Sequence, residues 1–289
     1  MVSSLDIFGL GLGFLYAVAT PIAAYYLFRN PLNLKLRDIA VGAVGYFAAD
    51  GLHKALVRPA LTALIEAMQS ANYYPDPSVF RFFENWSFRS AFAVQSELIC
   101  FLLLTFFASQ RKGLGPGVAY GVGAAGVYCI AGRAHVELQH LQWAVATNEN
   151  GPEALFGGRA DSPGFLTRMF SYGIPYGVGS IAHFLIAIGL SVLVWRGVLE
   201  AKWKLVGLAV LIDVALAAPL PLIDALRLPI SPNAYDSLLG LFVVACLFWR
   251  RPLSEWSANG FRTWLDREAR QSGVVGLFSS WLHQREDRD

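Results

Sequence analysis

The chain is built around stretches of about 20 apolar residues, the length a helix needs to cross the hydrocarbon of a bilayer. Seven stretches reach or approach that length, at about 7–28, 38–57, 90–108, 115–131, 174–195, 205–223 and 234–249. A soluble fold cannot hide so many. Its surface needs charge, and here only 15% of residues are charged while 55% are apolar, with a mean hydropathy of +0.45. An aromatic content of 13% excludes a disordered chain. The fold class expected is all-α, a polytopic membrane helix bundle. Pro21 inside the first stretch is compatible with this, because neighbouring helices re-satisfy freed backbone groups in a membrane. The first stretch is too long for a signal peptide and has no small-residue cleavage site, so it reads as a retained helix.

The basic residues orient the bundle. Arg29, Lys35, Arg37, Arg111, Lys112, Arg196, Lys202 and Lys204 join seven arginines of the tail (Arg250, Arg251, Arg262, Arg267, Arg270, Arg285 and Arg288), fifteen on one side. The opposite connections, taken as about 58–87, 132–173 and the turn near 227, hold six: Arg58, Arg81, Arg133, Arg159, Arg168 and Arg227. Basic residues stay in the cytoplasm, which places the N-terminus outside and the C-terminus inside the cytoplasmic (inner) membrane of a bacterial cell. The loop at 58–87 opens on an amphipathic run, Leu61, Leu64, Ile65 and Met68, and breaks at Tyr74-Pro75-Asp76-Pro77. The fourth loop is punctuated at Gly151-Pro152, Gly157-Gly158 and Pro163-Gly164. Residues 1–252 form the bundle. Residues 253–289 carry two cationic amphipathic runs, with Trp256, Trp264 and Trp281 on their apolar sides, and are expected to lie in the cytoplasmic interface. A net charge of +2 gives no reason to expect nucleic acid. The partners expected are membrane lipids and another membrane protein or membrane peptide. Cys100, Cys129 and Cys246 form no CxxC pair and read as small apolar packing residues.

Ionisable groups at membrane depth are expensive and point to function. Asp50, His53 and Lys54 share one helix face at i, i+3, i+4 and read as a structural pair near the outer interface. Glu97, His183 and Asp213 are different. Each stands alone near the middle of a separate span. Together they could ligate a zinc-like metal with an open position, or form a hydrogen-bonded polar core. The run from Arg133 to His140 contains Glu137 and His140 at the ExxH spacing of di-metal helices. No second ExxH completes it, so it reads as a solvated polar face at or beyond the end of the fourth span.

On these motifs the chain resembles the YhfC family of intramembrane metalloproteases, relatives of the CAAX prenyl-protease and bacteriocin-processing group. The first helix ends Tyr25-Tyr26-Leu27-Phe28-Arg29, and the second closes Gly51-Leu52-His53-Lys54-Ala55-Leu56. The family's third helix carries an acidic FEExxR element, where this chain reads Val94-Gln95-Ser96-Glu97-Leu98-Ile99-Cys100. Its next helix carries GxGHGxxE, where this chain has Gly121, Gly123, Ala124, Ala125 and Tyr128. Two later helices each offer a His, here His183 and Asp213. The resemblance covers about residues 7–225. It implies a helix bundle in which His ligands hold zinc and a glutamate, here Glu97, activates water. One of the paired glutamates is Ser96, the arginine is Cys100, and the motif His and Glu are Ala124 and Tyr128. Three readings follow. The first is a degenerate, noncatalytic YhfC-like protein that serves as a membrane binding or scaffold subunit, without a cofactor. The second is an active metalloprotease with zinc on a rearranged Glu97, His183 and Asp213 site. The third is a membrane subunit holding a haem- or chlorophyll-type cofactor on His183.

Overall fold

The computed structural model describes residues 2–30, 32–71, 76–108, 111, 113–152 and 173–226. Among them the chain is helical throughout its regular structure. Helix α1 (Ser4–Arg29) is followed by α2 (Leu36–Leu52), a π-helical segment (His53–Val57) and α3 (Arg58–Ser70). Then come α4 (Pro77–Ala108), α5 (Gly115–Val127), a second π segment (Tyr128–Ala134) and α6 (His135–Asn150). The last described helices are α7 (Gly173–Leu199), α8 (Trp203–Ala217) and α9 (Pro219–Ala225).

Among the described residues four helical stretches are long and apolar enough to cross a membrane: Ser4–Arg29, Pro77–Ala108, Gly177–Leu199 and Trp203–Ile223. The second and fourth expected spans have 17 and 13 residues of α-helix before each runs into its π segment. The seventh, at 234–249, and the amphipathic tail lie outside the described residues. The expected loop at 58–87 is largely helical. Its amphipathic run is α3, and α4 starts at Pro77, well before the apolar stretch begins. Hydropathy missed this because the first turns of α4 mix Arg81, Glu84 and Asn85 with aromatic residues. None of the residues of α3 is buried, as suits an amphipathic helix in a membrane interface.

Local chemistry sets the ends of α1. Ser3 Oγ accepts a hydrogen bond from the Asp6 N–H at 3.1 Å, satisfying a first-turn donor. Val2 is gripped twice by Asn148 of α6: its N–H donates to Oδ1 at 2.7 Å, and its carbonyl accepts from Nδ2 at 3.0 Å. Pro21 lies inside α1 and is buried.

The core is centred on α5, whose residues from Gly115 to Gly123 are all buried. Its heaviest packing is against α2 and α7, and α7 also packs on α1. Glycines make the close approach possible. A Cβ on Gly117 would lie 2.8 Å from Trp195 Cβ, and one on Gly121 would lie 2.7 Å from Ile188 Cα. At the α2 seam the contact is reciprocal. Gly42 of α2 faces the Tyr120 backbone, and Gly123 of α5 faces the backbone of Ile39 and Ala43. Small residues that let backbones meet are a hallmark of membrane helix packing. The outer faces are apolar instead. Phe106 is 77% exposed, and Phe8, Val44, Phe47 and Leu211 are exposed too. In lipid such faces need no burial against protein.

The end of the bundle where α2 begins is closed by charge. Asp38 is buried and pairs with Arg111, while Arg37 sits 3.7 Å from its other oxygen and donates to the Phe107 carbonyl at 3.1 Å. These bonds tie the start of α2 to the end of α4 and the turn before α5.

Candidate functional site

Helices α2, α4, α5, α7 and α8 line an open-mouthed cavity of about 420 Å³. Glu97, His183 and Asp213 all line it, one from each of α4, α7 and α8. The three lone ionisable residues of the sequence are therefore gathered on one cavity, with Glu97 close enough to Asp213, and Asp213 to His183, for their charges to interact. The wall around them is apolar. Phe92, Ala93, Ala124, Ala125, Ala187 and Leu190 contribute to it.

Glu97 is 6% exposed, and its Oε2 has no hydrogen-bond partner among the described residues. A buried carboxylate oxygen left unpaired is costly, so this atom invites a donor from something held in the cavity. Gln95, two residues away, is used structurally: its Nε2 donates to the Ala49 carbonyl at 2.7 Å and fixes α4 to α2.

Tyr128 stands where the related family carries a glutamate, and sequence reasoning treated it as a loss. The structure gives it a place. It lines the cavity at the first residue of the second π segment, and its ring lies 6.4 Å from that of His183 and 6.3 Å from that of Tyr46. Arg133 Nε donates to its hydroxyl at 2.7 Å, and the guanidinium stands 5.3 Å from the ring centroid. Because Arg has no acceptor, the phenol's own proton is directed away from Arg133. The π segment makes the pair possible. Five residues separate Tyr128 from Arg133, the repeat that a π turn brings into register and an α-helix does not.

His53 also lines the cavity, edge-on to Phe92 at 5.4 Å, with Nδ1 buried and unpartnered. Lys54 donates to Asp50 at 2.7 Å, the structural pair expected from their spacing. Glu137 is a correction. The expectation of a solvated polar face fails, since Glu137 is 0% exposed and neither carboxylate oxygen has a hydrogen-bond partner among the described residues. It is covered by α1: a Cβ on Gly13 would come within 3.1 Å of its Cδ. That neighbour is more than a hundred residues away in sequence, so no local pattern announces the burial. His140 is half-buried beside the Trp143 ring, at 5.4 Å. Cys100 and Cys129 are buried and free, as expected of packing residues.

The family resemblance raises the question of zinc. Glu97, His183 and Asp213 have suitable donor chemistry. Among the described residues, however, no three His, Cys, Asp or Glu side chains are gathered closely enough to hold a metal ion. As arranged, the donor set does not fit a three-ligand site.

These features define an α-helical membrane protein with a cavity between its helices, mostly apolar but lined by a few ionisable groups. The family described as YhfC intramembrane metalloprotease matches residues 16–226, most of the chain, and the chain belongs to that family. Comparison with curated proteins and with solved structures returns no match.

Proposed function

We propose that this YhfC-family protein is a noncatalytic member that keeps the family's intramembrane cavity and uses it to hold a membrane ligand, as a binding or scaffold subunit. The observation that carries this reading is the division of the cavity's polar groups. Glu97 offers an unpaired acceptor and Tyr128 a fixed hydroxyl, while Glu97, His183 and Asp213 face one cavity without forming a tight ligand trio. Such a cavity suits hydrogen-bonded recognition. Catalysis asks for more. A catalytic zinc takes three protein ligands, a water and a separate base. If Glu97, His183 and Asp213 were the ligands, no carboxylate among the cavity-lining residues would remain as that base. At about 420 Å³ the cavity has room for side chains that a membrane peptide or a neighbouring membrane protein inserts, not for a whole helical segment.

The convergence of Glu97, His183, Asp213 and His53 on one cavity supports a second reading, an active protease with a rearranged site. Metal analysis of the purified protein with a peptide-cleavage assay decides between them. The noncatalytic reading expects substoichiometric zinc and no cleavage above that of a Glu97→Gln variant. Stoichiometric zinc with cleavage lost in Glu97→Gln establishes the second.

For the membrane arrangement we propose seven spans in the cytoplasmic membrane, N-terminus outside, C-terminus inside, with residues 253–289 lying along the inner interface. The asymmetry of Lys and Arg supports it. A reporter fused after Asp289 is expected to read out on the cytoplasmic side, and activity from the outer side refutes the orientation.

A further inference from the structure

We propose that the cleft between α1 and α2 binds one anionic phospholipid, its acyl chain lying over α5 and its phosphate on Arg29 and Lys35. The proposal is independent of whether the polar cavity is catalytic.

Both α1 and α2 pack on α5, but they make no comparable contact with each other. The divergence leaves an apolar groove of about 710 Å³, separate from the polar cavity. Pro21 and Tyr25 of α1 form one wall, Leu36, Ala40 and Phe47 of α2 the other, and Gly126 of α5 part of the floor. A Cβ on Gly126 would come to 3.2 Å from Pro21 Cβ, tighter than an ordinary contact, so the glycine eases the approach of α1 to the floor.

The groove's dimensions choose the occupant. From Leu36 to Phe47 is eleven helical steps, about 16 Å at ~1.5 Å per residue. One leaflet's hydrocarbon is about 15 Å deep, half of the ~30 Å core. The groove therefore spans one leaflet, as a single acyl chain does.

The charge at one end chooses the headgroup. The groove runs out where α1 finishes and α2 begins. Arg29 stands there, its guanidinium 5.6 Å from the centroid of the groove-lining Tyr25 ring. Lys35 immediately precedes Leu36. Both are exposed, and neither is paired with a carboxylate among the described residues. The nearest acid in sequence, Asp38, is already held by Arg111 and Arg37. Two unpaired cations above a leaflet-deep apolar slot complement a phosphate diester that carries no cation of its own. Basic pockets between membrane helices recognise anionic lipids in this way.

The test uses the full chain purified in mild detergent and titrated, under native mass spectrometry, with palmitoyl-oleoyl phosphatidylglycerol or the matching phosphatidylcholine. One phosphatidylglycerol is expected to be retained in preference to phosphatidylcholine. The Arg29→Ala/Lys35→Ala double variant should bind it roughly thirty-fold more weakly. Ala40→Trp, which fills the groove and leaves both cations, should also lose the bound lipid. Melting temperatures checked beside wild type show that each variant is folded. Equal retention of the two lipids by wild type overturns the proposal. So does a folded double variant that binds phosphatidylglycerol as well as wild type, or an Ala40→Trp variant that still retains it.

Discussion

Replacing Gly123 with alanine tests whether the α2–α5 seam is limited by backbone contact. A Cβ at Gly123 would meet the Ala43 nitrogen and the Ile39 carbonyl carbon at 2.9 Å each, with the Ile39 oxygen closer still. All three are backbone atoms, so no side chain can swing aside and α2 itself must move. Overpacking of this kind costs about 1–3 kcal/mol. Helix propensity acts the other way, since alanine gains roughly 0.8–1 kcal/mol over glycine. Gly207→Ala in α8 separates the two effects, because a Cβ there meets nothing within 4 Å. It gains the propensity term without the clash. The two variants should therefore differ by the packing term alone, about 1–3 kcal/mol, or roughly 2–5 °C in melting temperature at this chain length. The structure supplies its own probe. Cys100 and Cys129 are free and buried, so a thiol-reactive fluorophore in detergent reports unfolding as they become exposed. The expected order of melting temperature is Gly207→Ala, wild type, Gly123→Ala. If Gly123→Ala melts with Gly207→Ala, the seam tolerates a methyl group and the packing argument is wrong.

Trp195→Phe should destabilise the bundle by roughly 1–3 kcal/mol, read from the same thiol assay. Trp195 is 0% exposed, and its Nε1 donates to the Gly113 carbonyl at 2.7 Å, which the variant leaves without that donor. At the turn between α7 and α8, burial works to raise the Glu200 carboxyl, but the Lys202 hydrogen bond at 2.8 Å and the Arg196 and Lys202 charges outweigh it and hold it below the usual carboxylate range. A carboxyl lowered by folding adds stability that is present above its unfolded value and fades as pH falls through the folded one. Melting temperature should therefore drop as pH falls below the usual carboxylate range, and Glu200→Gln should flatten that part of the profile. An unchanged slope in Glu200→Gln counts against the assignment.

The bundle was legible because hydropathy over 20 residues is a direct consequence of bilayer thickness. That Glu97, His183 and Asp213 line one cavity was legible for a related reason. Glu97, His183 and Asp213 are isolated charges at similar depth, and lipid leaves such groups little choice but to face one another. Three features were not legible. The polar turns of α4 around Glu84 and the whole of α6 carry too little hydropathy to mark a helix that extends past the hydrocarbon. Glu137 looks solvated until Gly13 of α1 is seen to cover it. The Tyr128–Arg133 bond needs a π turn, and π segments arise where packing admits an extra residue, which no periodicity in the sequence encodes. A substitution that reads as a lost glutamate is, in three dimensions, a hydroxyl held in place.

The central claim is that this cavity is the family's site with its metal-holding capacity lost through substitution at Ala124, Tyr128 and Asp213. Zinc content of the wild type and of an Ala124→His/Tyr128→Glu/Asp213→His variant, purified alike and measured by elemental mass spectrometry, tests it most directly. The account predicts substoichiometric zinc in the wild type and about one equivalent in the folded variant. A wild type that already carries a full equivalent of zinc, and cleaves peptide in a manner abolished by Glu97→Gln, contradicts it.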